Sequence, residues 1–226
     1  NVVVGDEAGT AITTGGANTF YGYSAGAATT TSSDNTAIGG AALATNILAS
    51  SNTAIGKNAL YAHNVGSAAS TYNTAVGHHA GIAVTTGVAN TLIGGLAGDS
   101  ITDADYNVAL GYQALSGNTV GSRSIAIGVG ALFRQNPASA ADMYNVAIGH
   151  NCGENITTGI QNTIIGGLAG DAITTGANNV AVGYLSLSAN TTGHSNTASG
   201  VNALLLNTTG TQNTALGMGT LTFNQT

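Results

Sequence analysis

Asn52-Thr53-Ala54-Ile55-Gly56-Lys57-Asn58-Ala59-Leu60 decides the fold, because its pattern returns along the whole chain. A unit Asn-Thr/Val-Ala-Ile/Val-Gly-x-x-Ala-Leu/Gly starts at residues 1, 18, 35, 52, 73, 90, 107, 124, 145, 162, 179, 196 and 213, in steps of 17 residues broken twice by a step of 21. Self-similarity at a short fixed period marks a repeat architecture, in which each unit buries apolar surface against its neighbours. One unit per coil predicts an all-β, parallel β-solenoid of thirteen 17-residue coils, a single repeat domain over residues 1–226. At about 4.8 Å between strands, that is a rod on the order of 60 Å long.

Numbering each coil from its first residue gives every position a role. Position 5 is Gly in all thirteen coils, at Gly5, Gly39, Gly77, Gly111, Gly149, Gly183 and Gly217 among others. This predicts a corner that needs positive φ or close backbone contact. Position 1 is Asn in all coils but one, where Ser124 replaces it. Asn1, Asn35, Asn73, Asn107, Asn145, Asn179 and Asn213 are expected to stack in a hydrogen-bonded ladder. Positions 2 to 4 fit a short strand with alternating faces. The aliphatic position 4, with Ile38, Ile55, Ile93, Leu110, Ile127, Ile148 and Ile165, is expected in the core, and the small position 3 on the outside, where another chain or coil could approach.

Positions 9 and 12 change together. Where position 9 is Gly (Gly81, Gly98, Gly153, Gly170), position 12 is Val84, Ile101, Ile156 or Ile173; where it is Leu (Leu43, Leu60, Leu115, Leu132, Leu187, Leu204), position 12 is Asn46, His63, Asn118, Gln135, Asn190 or Asn207. A close-packed interior tolerates such an exchange when total volume is kept, so the two positions are expected to share one pocket. The order Gly, Gly, Leu, Leu recurs every 72 residues and sets higher-order repeats 1–72, 73–144 and 145–226. The extra residues of the longer steps fall in 65–72 and 137–144, which are expected to bulge from one face. The chain opens in phase with its own repeat and without a signal peptide, which predicts an excerpt of a longer fibre.

Composition narrows the function classes. Only 5% of residues are charged, net charge is −6, and the cations are Lys57, Arg123 and Arg134, so no basic stripe exists for nucleic acid. Apolar runs fall far short of the roughly 20 residues that cross a bilayer, so no membrane insertion is expected.

The unit resembles the head repeats of trimeric autotransporter adhesins, and still more the repeats of phage tail fibres and bacterial surface proteins. The resemblance covers almost the whole chain, rests on a low-complexity motif and implies a left-handed parallel β-roll packed as a homotrimer. It also implies an extracellular place, on a virion tail fibre or a cell surface, with a cell-surface glycan or receptor as partner.

Hidden chemistry finds little support. No nucleotide or calcium motif follows the glycines, and no cofactor is expected. Asp6–Glu7, His78–His79 and His150–Asn151 share positions 6 and 7 and could gather as an ion site between chains, though a solvated corner explains them without one. Cys152 replaces the small residue of position 8 and reads as core. Asp103 with Asp105, or Asp6 with Glu7, could be a glycosidase pair, but solvated loops explain them equally well and the chain is only 5% aromatic. No residue receives a catalytic or metal-binding role, and the chain is not expected to be an enzyme. The expected function is a structural and adhesive fibre segment. The alternatives are a filament joined end to end, or an ice- or surface-binding solenoid that uses the Thr residues of positions 13 and 14.

Overall fold

The computed structural model describes residues 1–224. The chain divides into two compact units, Asn1–Tyr112 and Gln113–Thr226. The division falls within the coil that begins at Asn107, not at a boundary of the 72-residue repeat.

In each coil, positions 2 to 4 form a three-residue strand between the Asn and the corner Gly. The first unit holds Val2–Val4, Thr19–Tyr21, Thr36–Ile38, Thr53–Ile55, Thr74–Val76, Thr91–Ile93 and Val108–Leu110. The second holds Ile125–Ile127, Val146–Ile148, Thr163–Ile165, Val180–Val182, Thr197–Ser199 and Thr214–Leu216. Within each unit successive strands pair in parallel at identical positions, as Thr36, Ala37 and Ile38 do with Thr53, Ala54 and Ile55. The architecture is a parallel β-solenoid of about thirteen turns, with no helix among the described residues.

The corner column explains the invariant glycine. Gly5, Gly39, Gly77 and Gly111 in the first unit have φ of 132 to 141°, and Gly149, Gly183 and Gly217 in the second 111 to 144°. A Cβ on Gly39 would stand 2.7 Å from the carbonyl carbon and oxygen of Gly56, so the corners stack backbone on backbone. Most other turns use residues that do have side chains: Leu43, Leu60, Leu115 and Leu187 sit at φ of 50 to 56°. Isolated left-handed residues are unfavourable, and here coil-to-coil bonds hold them. Leu43 N donates to Ala59 O at 3.0 Å and Leu187 N to Ala203 O at 3.0 Å.

The Asn column forms a ladder inside each unit. Asn52 donates to Asn35 Oδ1 from its backbone N (3.0 Å) and its Nδ2 (3.2 Å), and Asn18 Oδ1 accepts from Asn35 N. Asn1 and Asn73 send Nδ2 across the coil to Gly15 O and Gly87 O, and Asn107 N reaches Asn90 Oδ1. In the second unit Asn145 and Asn179 reach Gly159 O and Gly193 O, and Asn213 N reaches Asn196 Oδ1. Asn73, Asn145 and Asn179 thus bond across their own coil, and Asn52 bonds to Asn35 Oδ1 and Ser50 O of the preceding coil, which satisfies groups that would cost about 1–3 kcal/mol unpaired.

The strand faces are the reverse of the expectation. Position 3 points inward: Ala37, Ala54, Ala75, Ala109, Ala126, Ala147 and Ala181 are fully buried. Position 4 points outward: Ile38, Leu110, Ile148 and Ile165 are 36 to 42% exposed, and Ile55, Ile93 and Ile127 are half-buried. The cause is width. Inside, position 3 shares its space with position 8, the Asn ladder and the shared pocket, and this leaves room for a methyl group where a branched side chain would overpack.

That pocket has a third contributor. Position 3 is bulky at Phe20, Leu92 and Ile164, in the second coil of each 72-residue repeat, and all three are fully buried. They fill the space left by glycines at position 9. A Cβ on Gly98 would stand 2.8 Å from Leu92 Cδ2 and 2.9 Å from Ile101 Cδ1, and one on Gly170 2.9 Å from Ile164 Cδ1 and 2.8 Å from Ile173 Cδ1. In the Leu coils position 12 is polar and bonds inward, as Asn46 Nδ2 does to Ala49 O and Asn118 Nδ2 to Gly121 O. Gly98→Leu alone is expected to destabilise by about 1–3 kcal/mol through overpacking. Adding Leu92→Ala should recover more than the two single changes predict, which a double-mutant cycle by urea unfolding measures.

Candidate interaction surface

Positions 2 and 4 of every strand face away from the interior, and together they make the outer side of the parallel sheet. Thr and Val fill position 2 except at Ile125; Ile, Val and Leu dominate position 4. No charged side chain lies on this face in either unit. Parallel sheets are normally covered on both sides, which makes this uncharged outer side a candidate interaction surface.

Two corner columns border the face. The last residue of each coil is Asp34, Tyr72, Ala89 or Tyr106 among others in the first unit, and Arg123 and Tyr144 among others in the second. Position 6, just after the corner Gly, carries His78, Gly95 and Tyr112, then His150 and Tyr184. All eight tyrosines of the chain are exposed, by 41 to 65%. A Tyr kept out of every core keeps an apolar ring and a hydroxyl for contacts outside the coil.

The inserts are tied to the preceding coil at their C-terminal ends. In the first, Ala69–Ser70 pairs with Ala49–Ser50, residues 66–70 are exposed, and Thr71 is buried. In the second, Ala141–Asp142 pairs with Gly121–Ser122, and Met143 is buried. Equivalent positions bond in both: Ser51 Oγ to Ser70 Oγ at 3.3 Å in the first, and an Arg123 Nε–Asp142 Oδ1 ion pair at 2.9 Å in the second. Tyr144 Oη donates to Asp142 Oδ2 at 3.1 Å.

The chemical candidates resolve into local contacts. Glu7 Oε2 accepts from Ser24 Oγ at 2.8 Å, and the hydroxyls of Ser24 and Tyr23 hold its carboxyl below the usual range. The rings of His78 and His79 stack at 3.8 Å, and His79 Nε2 lies 3.1 Å from Asn58 Nδ2. Desolvation, then His78 and Lys57, lower the His79 pKa against the pull of Asp99. Asp105 Oδ1 accepts from Val88 N at 2.8 Å, and Asp103 Oδ1 from Thr102 Oγ1 at 3.2 Å. Cys152 is buried, its Sγ–H directed at Ile164 O, and burial pushes its thiol up to about 12. Among the described residues no three His, Cys, Asp or Glu side chains gather into a metal-binding group, and no cavity opens. No helix is long and apolar enough to cross a membrane among them.

The Thr array is partly committed to the coil itself. Thr157, Thr174 and Thr191 donate Oγ1 to the carbonyl of the next coil's Thr at 3.1 to 3.2 Å. Thr158, Thr175, Thr192 and Thr209 form an exposed column beside them.

Fold and surface together define a β-solenoid repeat protein. Comparison of the chain with known protein families, with curated proteins and with solved structures finds no match.

Proposed function

We propose that this chain is a non-enzymatic structural segment of an extracellular fibre whose copies pack side by side through the outer face of positions 2 and 4. The observation that carries the reading is an uncharged outer side on an all-parallel sheet, with a mostly aliphatic column at position 4 beside Thr and Val at position 2. Across the seven strands of the first unit, about 4.8 Å apart and roughly 20 Å from corner column to corner column, that face presents on the order of 600–700 Å² per copy. A stable interface takes about 800 Å² from each partner. Covering one half-exposed aliphatic side chain contributes about 1 kcal/mol, and repetition multiplies it. Positions 2 and 4 carry no charge, so covering them desolvates no ion; Asp6, Asp34 and Lys57 stand in the border columns of the first unit. The resemblance of the repeat to trimeric adhesin heads and tail fibres favours three copies. The exposed residues 66–70 and 138–140 of the inserts at 65–72 and 137–144 would be the places for weak contact with a glycan or receptor.

Light scattering after size-exclusion chromatography, over a concentration series, tests this. A constant mass of three chains is the expected result, and Ile165→Lys with Val182→Lys should reduce it to one chain while the β circular-dichroism signal is kept. A monomeric parent chain would overturn side-by-side packing. Mass that grows with concentration would favour end-to-end filaments instead. The surface-binding alternative has the exposed Thr158–Thr175–Thr192–Thr209 column in its favour, and thermal hysteresis of ice growth would reveal it.

A further inference from the structure

The repeat writes a modification signal into the chain. Asn-x-Thr, the acceptor motif for N-linked glycans, occurs at Asn155-Ile156-Thr157, Asn190-Thr191-Thr192, Asn207-Thr208-Thr209 and Asn224-Gln225-Thr226. The last of these ends outside the described residues. Such a motif ordinarily marks a surface loop, since an attached glycan is bulky and must stay in water. The other three all lie in the second unit, and their surroundings divide them into two kinds.

Asn190 and Asn207 stand at position 12 of coils with Leu at position 9, and both are fully buried. Asn190 Nδ2 donates to Gly193 O at 2.9 Å, and Asn207 Nδ2 donates to Gly210 O and to Asn190 Oδ1, each at 3.1 Å. A close-packed interior has no room for a sugar at either nitrogen. The coil that begins at Asn145 has Gly at position 9, so its position 12 is the buried Ile156 and its Asn falls one residue earlier. Asn155 is therefore only half-buried, and its Nδ2 donates to Asp171 O at 2.8 Å. A glycosylated amide keeps one N–H, so that bond can outlast the modification.

We infer that N-linked glycosylation and folding exclude each other at Asn190 and Asn207, and that the folded solenoid can carry a glycan at Asn155. Transfer from a lipid-diphosphate-linked oligosaccharide joins Nδ2 to the anomeric carbon. The bond from that carbon to the phosphate oxygen breaks, the lipid diphosphate leaves with the electron pair, and the amide gives up one proton. In the unfolded chain all of these asparagines are open to the enzyme. A chain modified there before its coils close cannot turn Asn190 or Asn207 inward, and Gly193 O or Gly210 O loses its partner. The solenoid thus assembles by a route on which its coils close before, or apart from, such a transferase. This condition is independent of how copies pack.

Secretion of the full chain from a cell that performs N-glycosylation tests it, with Thr226→Val carried throughout so that Asn224 is no acceptor. Glycopeptide mass spectrometry reads each site separately in the folded soluble fraction and in the aggregated one. The folded fraction is expected to carry glycan at Asn155 and none at Asn190 or Asn207, and the aggregate to carry it at one or both. Thr192→Val with Thr209→Val removes both motifs at exposed side chains and leaves the buried amides in place. The pair is expected to raise the folded yield severalfold in the glycosylating cell, and to leave it unchanged when glycan-donor synthesis is inhibited. Folded protein with glycan at Asn190 or Asn207 would overturn the inference. So would a yield in the glycosylating cell that the two substitutions do not raise, or folded protein in which Asn155 is unoccupied.

Discussion

Gly39→Ala is expected to destabilise the solenoid by about 3–5 kcal/mol, while Gly40→Ala, one residue on, should change stability by less than about 0.5 kcal/mol. The two glycines differ in what surrounds them. Gly39 has φ of 132°, and its new methyl would lie 2.7 Å from the backbone of Gly56, which cannot swing aside as a side chain could. A methyl on Gly40 meets nothing within 4 Å, and the backbone there does not require positive φ. Urea unfolding of both variants at one pH measures the contrast. Equal effects would mean that the corner relaxes and that stacking of the glycine column is not what fixes the coil. The prediction extends to Gly183, whose Cβ would meet the Gly200 carbonyl group at 2.6 Å.

Acid is expected to weaken the coil that carries His63. This side chain replaces the position-12 Asn of other Leu coils and is fully buried. Its Nε2 lies 2.9 Å from Thr71 Oγ1, which donates to Asn52 Oδ1 at 2.8 Å, so the Thr oxygen accepts from a neutral imidazole. Burial lowers the His63 pKa to about 4 from 6.5, with a backbone contact to Thr85 working weakly against it; no charged side chain contributes. The unfolded chain therefore takes up the proton first. Stability is fully present above pH about 6.5, falls as pH drops towards about 4, and levels off below, a loss of about 3 kcal/mol at the limit. The equivalent coil holds Gln135, which accepts from Ser124 Oγ and Asn145 Nδ2 and does not titrate in this range. His63→Gln should therefore flatten the dependence of the urea midpoint between pH 7 and 4. Amide exchange at residues 66–70, tied to the coil through Thr71, should quicken first in the parent protein. An unchanged acid slope in the variant would place the loss elsewhere.

Much of this architecture was legible in the sequence because the period does the work that tertiary contacts do elsewhere. Asn at position 1 and Gly at position 5 recur for reasons of hydrogen bonding and backbone shape, and both are local enough to read from one coil. The inside and outside of the strand were not legible by the same logic. Alternation says that Ala54 and Ile55 face opposite ways, and size suggests that Ile55 is inside. In a coil this narrow the rule inverts: Ala54 fits between the walls, and the branched side chain is left on the outer face. The signal that could have reversed the reading was Phe20, Leu92 and Ile164. They interrupt the small column once per repeat, always in the second of two coils with Gly at position 9, which ties position 3 to the inner pocket. The shared site of positions 9 and 12 was legible because its members trade volume. The tyrosine and histidine borders had no counterpart in the period, since they vary from coil to coil and acquire meaning only once the outer face is known.

The bulky residues at position 3 also constrain how a gene for such a chain can change length. Leu92 fills the hollow at Gly98 in its own coil and the hollow at Gly81 in the preceding one, where a Cβ would stand 2.7 Å from Leu92 Cδ1. Recombination that drops a coil with Leu at position 9 removes the occupant and its space together. Recombination that drops only the Leu92 coil would leave Gly81 beside a void. Heredity in this repeat therefore has a punctuation finer than the 72-residue block and coarser than the single coil: the coil with the bulky inward residue can be lost only together with the one before it.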